Sequence, residues 1–222
     1  MWRLILIDFS KANMIGAGGL LGKSWPDLDM LPFGFLTDPN SKHGPYRFSN
    51  LTPNEQRTQV TLGAMAKSPL MFGGDMRRLD DATYRTLTNP FVLEINSYSS
   101  HNMEFAAVSG EKASMVENGI PNRESRLLHA EEKSRFPTSG TRSWIAAGRR
   151  GEVYVALFNL NDEATRMSAT VADIGRALRG RRPPSSCAWK EVWTGKDYVP
   201  AKASISVVVE THGCALFVVH CK

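Results

Sequence analysis

The stretch Trp25-Pro26-Asp27-Leu28-Asp29-Met30-Leu31 holds the residue types best suited to chemistry in this 222-residue chain. Two carboxylates two positions apart, flanked by an indole and a thioether, suit a sugar site. Carboxylates accept hydrogen bonds from hydroxyls, and an aromatic or methionine surface covers the apolar C–H face of a pyranose. The same Pro-Asp-Leu-Asp run also makes a good turn or helix N-cap, so residue types alone leave both readings open. Asp75 is open in the same way. It comes after the apolar run Leu70-Met71-Phe72, where a barrel strand delivers chemistry, and it could equally cap the next turn.

Other chemistries find no support. Gly16-Ala17-Gly18-Gly19-Leu20-Leu21-Gly22 misses the dinucleotide spacing, because Leu21 stands where the third glycine belongs, and reads as a glycine-rich turn. The five histidines are dispersed, none pairing with a neighbour at ligand spacing, and no serine or cysteine sits in a G-x-S-x-G elbow. Cys187, Cys214 and Cys221 allow at most one disulfide and match no zinc pattern, so free or reduced thiols are expected. No metal or cofactor is implied. A net charge of +5 with a pI near 9.2 raises nucleic-acid binding. The basic residues are scattered, however, and the group Arg176, Arg179, Arg181 and Arg182 runs into the loop composition Pro183-Pro184-Ser185-Ser186. No recognition helix or stacking aromatics accompany it, so no nucleic-acid partner is expected. No apolar run approaches the roughly 20 residues of a membrane span, and Leu4–Ile7 is too short for a signal-peptide core.

The elements that must position these residues fall into two grammars. With 42% hydrophobic and 22% charged residues the composition is that of a globular protein. Thr52-Pro53-Asn54-Glu55 is a capping box with proline at the first helical position, and Ser68-Pro69 ends the helix it opens. Leu70-Met71-Phe72, closed by Gly73-Gly74, has the continuous apolar character of a strand buried on both faces. Asp80 is an N-cap, with Leu79 and Tyr84 spaced as a hydrophobic staple, and that helix stops at Asn89-Pro90. Helix, buried strand, helix is an α/β pattern. After about residue 97 the chain turns polar through Thr141, with one weak strand at 105–108. Short strands then recur at 144–147, 153–159, 167–171, 188–193, 205–209 and 215–219, which suggests an antiparallel β-sandwich. The boundary is placed near residue 100.

Taken together, these blocks resemble glycoside hydrolase family 27, the α-galactosidase and α-N-acetylgalactosaminidase group. Residues 25–31 resemble its Trp-x-Asp-Pro-Asp-Met-Leu segment. Leu51–Gln56 and then Ala64–Leu70 resemble its last barrel helix and strand. Gly74-Asp75-Met76-Arg77, with Asn89-Pro90 to Glu94-Ile95-Asn96, resembles the family's segment beyond that strand. The wording Gly22-Lys23-Ser24-Trp25-Pro26-Asp27-Leu28-Asp29 is closest to a plant-type branch. Tyr154–Asn161 and Glu191–Lys196 look like that branch's C-terminal β domain. The resemblance implies the C-terminal portion of a (β/α)8 barrel over residues 1–100 and an antiparallel β-sandwich over 101–222. It also implies retaining hydrolysis of terminal α-galactosides, a galactoside or oligosaccharide as partner, no cofactor, and a secreted, cell-wall or vacuolar setting.

Retention needs two carboxyl groups about 5–5.5 Å apart, one nucleophile and one acid/base. In the family both aspartates precede the Trp-x-Asp segment. Here 24 residues precede Trp25, and Asp8, in Ile7-Asp8-Phe9-Ser10, resembles neither catalytic motif. No catalytic residue is carried over. Asp29, Met30 and Trp25 are carried over as sugar-contacting residues, with Asp27 supporting their loop. Gly63 stands where the family usually has a tryptophan, which implies a hole in the helix packing. With about 100 residues against a full barrel's roughly 250, the chain is expected to leave an open strand edge and to be poorly soluble or partly unfolded outside its β domain. Three functions compete: an α-galactosidase-like hydrolase represented by its C-terminal portion and inactive alone, a non-catalytic carbohydrate-binding or interaction protein, and an inert truncated product.

Overall fold

The computed structural model describes residues 2–15, 25–37, 44–105, 140–177, 186–201 and 204–221. The chain opens with a helix, α1 (Trp2–Ile15), which carries no cap signal in its sequence. Its stripe Ile5, Leu6, Phe9 and Ala12 is buried, the spacing of one helical face. After the segment 25–34 comes a short antiparallel ladder of β1 (Phe35–Leu36) and β2 (Arg47–Phe48). Helix α2 (Pro53–Met65) starts at the capping box expected for it. Thr52 Oγ1 accepts from the Glu55 N–H at 3.2 Å, and Glu55 Oε2 accepts from the Thr52 N–H at 2.8 Å. Helix α3 (Asp81–Leu87) is capped by Asp80 as expected, and α4 (Pro90–Tyr98) begins directly at Pro90, with Asn89 as its cap. Tyr84 of the expected hydrophobic staple is exposed.

Two expectations for this part change. Leu70-Met71-Phe72 is not buried on both faces: it makes one parallel bridge, Leu31 to Phe72, and Met71 is 45% exposed. Its apolar character serves one side only, because among the described residues the segment around Leu31 is its strand neighbour. Gly63 leaves no hole. A Cβ added there would lie 3.0 Å from Leu70 Cδ2, so Leu70 fills the space that a larger side chain would take. The Gly63 carbonyl also accepts from the Ser68 N–H at 2.9 Å.

The β region begins with β3 (Ser100–Glu104), β4 (Thr141–Ala147) and β5 (Val153–Asn159). Next come β6 (Thr165–Thr170) and helix α5 (Val171–Ala177). Strands β7 (Cys187–Glu191), β8 (Asp197–Ala201), β9 (Ser204–Val209) and β10 (Cys214–Cys221) complete it. Six of these form one antiparallel sheet in the order β3-β4-β5-β10-β7-β8, and β6 pairs with β9 in a second. The expected strands are present. Strand β8 and helix α5 went unread, although α5 has its own reciprocal cap: Thr170 Oγ1 accepts from the Asp173 N–H and Asp173 Oδ2 from the Thr170 N–H. Strand β3 at 100–104 was not expected, and residues 106–108 of the weak strand expected at 105–108 fall outside the described set, as do the glycine run 16–22 and Arg179, Arg181 and Arg182.

Every residue of β5 is buried, and period-two alternation explains how. Val153, Val155 and Leu157 join Met167, Ala169, Ile205 and Val209 in the core between the two sheets. Tyr154, Ala156 and Phe158 point the other way, into a core shared with Phe9 of α1, Val60 and Leu62 of α2, and Val92 and Ile95 of α4. The helices therefore cover one face of the large sheet and the small sheet covers the other. Phe9 meets Phe158 edge-on at 4.8 Å between ring centroids. His212, in the β9–β10 turn, ties the same faces together at the surface. Its ring stacks on Trp2 at 4.3 Å, with Nδ1 3.0 Å from Glu55 Oε1 and Nε2 2.9 Å from Asp162 Oδ1.

The cysteines depart from expectation. Register places Cys187 opposite Cys221 on β7 and β10, and the two form a disulfide. Cys214 stays free, its thiol donating to Thr61 Oγ1 at 3.5 Å.

Candidate sugar-binding site

Residues 25–29 alternate between solvent and core. Pro26 and Leu28 are buried while Trp25, Asp27 and Asp29 are exposed, so extended backbone puts the indole and both carboxylates on one outer side. Leu28 anchors the segment: its N–H donates to Ser68 Oγ at 3.0 Å, at the turn that ends α2. Alternation breaks at Asp29, whose φ is +67°. Aspartate tolerates the left-handed region better than most residues, and here its neighbours compensate. Asp27 Oδ1 accepts from the Asp29 N–H at 2.9 Å, and Asp29 Oδ1 accepts from the Met30 N–H at 2.7 Å. The turn brings Met30 out beside Asp29, so two consecutive residues are exposed before the buried Leu31.

A parallel neighbour then fixes the segment. The Leu31 N–H donates to the Met71 carbonyl at 2.7 Å, and the Gly73 N–H donates to the Leu31 carbonyl at 2.9 Å. Gly73 is needed for Met30, since a Cβ there would lie 2.6 Å from Met30 Sδ. Gln59 of α2 donates to the Met30 carbonyl at 3.2 Å. Further along, Gly74 lets the Phe33 carbonyl approach, and the Asp75 N–H donates to the Phe35 carbonyl at 2.7 Å. Sequence reasoning named Asp29, Met30, Trp25 and Asp27, and all four are exposed on this one segment. It did not name Gly73 or Gln59. The Gly73-Gly74 pair was visible only as a strand end.

Asp75 resolves differently. Its Oδ1 accepts from the Arg77 N–H at 3.0 Å, capping the 3-10 turn Met76–Arg78, and the Arg77 guanidinium clasps both oxygens at 2.9 Å. Those hydrogen bonds hold its carboxyl at about 2, well below the usual carboxylate range. A carboxylate engaged on both oxygens by a guanidinium is a structural cap, and it is not available as an acid. Among the described residues no group of three metal-ligating side chains occurs, and no helix is long and apolar enough to cross a membrane.

A six-stranded antiparallel sheet packed on a smaller one defines a β-sandwich of the α-galactosidase type: residues 138–219 match the family described as the alpha galactosidase C-terminal beta sandwich domain. The rest of the chain agrees. It is 26% identical over 170 residues to an alpha-galactosidase of Saccharomyces paradoxus, covering 77% of this chain and 29% of that one. It is 23% identical over 203 residues to an alpha-galactosidase of Cyamopsis tetragonoloba, covering 91% and 37%. The fold superposes on the crystal structure of a family 27 β-L-arabinopyranosidase from Geobacillus stearothermophilus with a TM-score of 0.75, at 23% identity, over 99% of this chain and 42% of that one. These matches liken the chain to the C-terminal portion of glycoside hydrolase family 27 proteins, with residues 138–219 matching that family's β-sandwich domain. The chain spans about a third of the length of the curated relatives it matches. Yeast and plant relatives match at comparable identities, so the plant-type wording near Trp25 does not single out a branch.

Proposed function

We propose that this chain carries part of the galactoside pocket of an α-galactosidase-like retaining glycoside hydrolase, and that the 222 residues by themselves lack turnover. On this reading residues 1–100 are the C-terminal portion of a (β/α)8 barrel, and 101–222 are the β-sandwich after it. The observation that carries the proposal is the bridge between Leu31 and Phe72, which sets exposed Met30 against Gly73 at a strand end, with exposed Trp25 and Asp29 on the same segment as Met30. Strand ends are where βα architectures bind substrate.

The side chains supply the chemistry. Asp29 spends Oδ1 on its own turn, and Oδ2 is left to accept from a sugar hydroxyl. Met30 and Trp25 offer apolar surface to a pyranose face, while Asp27 holds the turn by capping Asp29. Retaining hydrolysis requires a nucleophile and an acid/base facing each other across the glycosidic bond. The loop aspartates here are tied to backbone N–H groups, which suits positioning and not attack.

The test is galactose binding and hydrolysis of a chromogenic α-galactoside by the purified chain, beside Asp29→Ala. We expect no hydrolysis, and galactose binding weakened about tenfold or more in the variant, as for loss of a charge-assisted hydrogen bond. Hydrolysis that disappears with Asp29 would overturn the reading of a chain without turnover. Galactose binding indifferent to Asp29→Ala would overturn the site.

A further inference from the structure

We propose that a second groove, separate from the Asp29 loop, binds an acidic saccharide. It has a volume of about 610 Å³ and lies between α2, α3, the β1–β2 region and Trp193 of the β-sandwich. That volume falls within the range of small-ligand sites. Two guanidinium groups line it, Arg57 of α2 and Arg85 of α3, and neither has a carboxylate partner among the described residues. The acidic side chain on the groove wall, Asp80, keeps its charge but is turned to its own helix cap: Oδ1 accepts from the Thr83 N–H and Oδ2 from the Thr83 hydroxyl, both at 2.8 Å. The groove therefore sets two guanidinium forks, shaped for carboxylate, against one carboxylate that faces its own turn, a net positive lining.

Its walls supply the second half of a saccharide's requirements. Trp193 is pinned by its indole N–H to Thr61 Oγ1 at 3.2 Å, and Arg57 lies 5.9 Å from the centre of its ring. Phe48, which also lines the groove, is 62% exposed. Such faces cover the C–H side of a sugar ring. A simple inorganic anion would use the guanidinium groups and leave both aromatic rings idle. That the ligand is a saccharide rests on the function proposed above; that it is anionic rests on the groove alone.

The test is calorimetric titration of the full chain with trigalacturonate, a neutral galactotriose and inorganic phosphate, at about 20 mM and about 200 mM salt. Trigalacturonate is expected to bind at least tenfold more tightly than either comparator, and less tightly at the higher salt. Arg57→Gln/Arg85→Gln should abolish the preference at unchanged melting temperature, and Asp29→Ala should leave it intact. Equal binding of acidic and neutral sugars, equal binding of phosphate, a preference that survives the double variant, or no binding would each overturn the groove. Loss of galactose binding at the Asp29 loop with an intact Arg-dependent preference would strike the function proposed above and leave the groove standing.

Discussion

The Arg77 guanidinium grips both oxygens of Asp75 from two positions away, and that clasp holds the Asp75 carboxyl at about 2. A folded value below the unfolded one, about 3.9, contributes stability above roughly pH 4 and loses it as pH falls toward 2. Thermal melts between pH 5 and pH 2 should therefore fall more steeply for the wild type than for Asp75→Asn. Parallel slopes would mean the clasp carries no linkage. Because its partner is so close in sequence, the capping role of Asp75 was open to a local reading. Gly63 shows the opposite case. Its sequence context implied a hole, yet Leu70, seven positions on and past a proline turn, closes it. Nothing local in a helix says which side chain from another segment will lie against it.

At the scale of elements, caps and alternation were legible and pairing was not. The caps at Thr52–Glu55 and Asp80 are written in about four residues each, and most strands from β4 onward announce themselves by short apolar runs. The disulfide could not be read that way, because Cys187 and Cys221 are 34 residues apart and meet only through the β7–β10 register. Closing a loop of that length stabilises a fold by about 3–4 kcal/mol in the chain-entropy account. Cys187→Ser/Cys221→Ser should lower stability in denaturant by about that amount, with no change in far-ultraviolet circular dichroism. A loss under about 1 kcal/mol would show that the sheet register alone suffices.

For the whole molecule, the decisive feature is one apolar core running from α1, α2 and α4 into the large sheet. Met30, Met71 and Met76 stay exposed outside it. Helices that bury Val60, Leu62, Val92 and Ile95 against β5 and β10 should unfold with that sheet. We expect circular dichroism and tryptophan fluorescence to report one coincident thermal transition. Two separated transitions would mean that the helices and sheet are independent units.

The candidate sugar-contacting residues proposed above, their spacing, the helix caps and most strands were legible in the sequence itself, since each depends on neighbours a few positions away. Only tertiary structure decided that Met30 lies in the space left by Gly73, that His212 meets Trp2, Glu55 and Asp162, and that Asp75 sits beside Phe35. It also decided that Arg57, Arg85, Phe48 and Trp193 line one groove. Those four come from four segments with no shared local pattern. Local propensity sets which elements form, whereas burial of apolar faces between distant segments sets which side chains share a site.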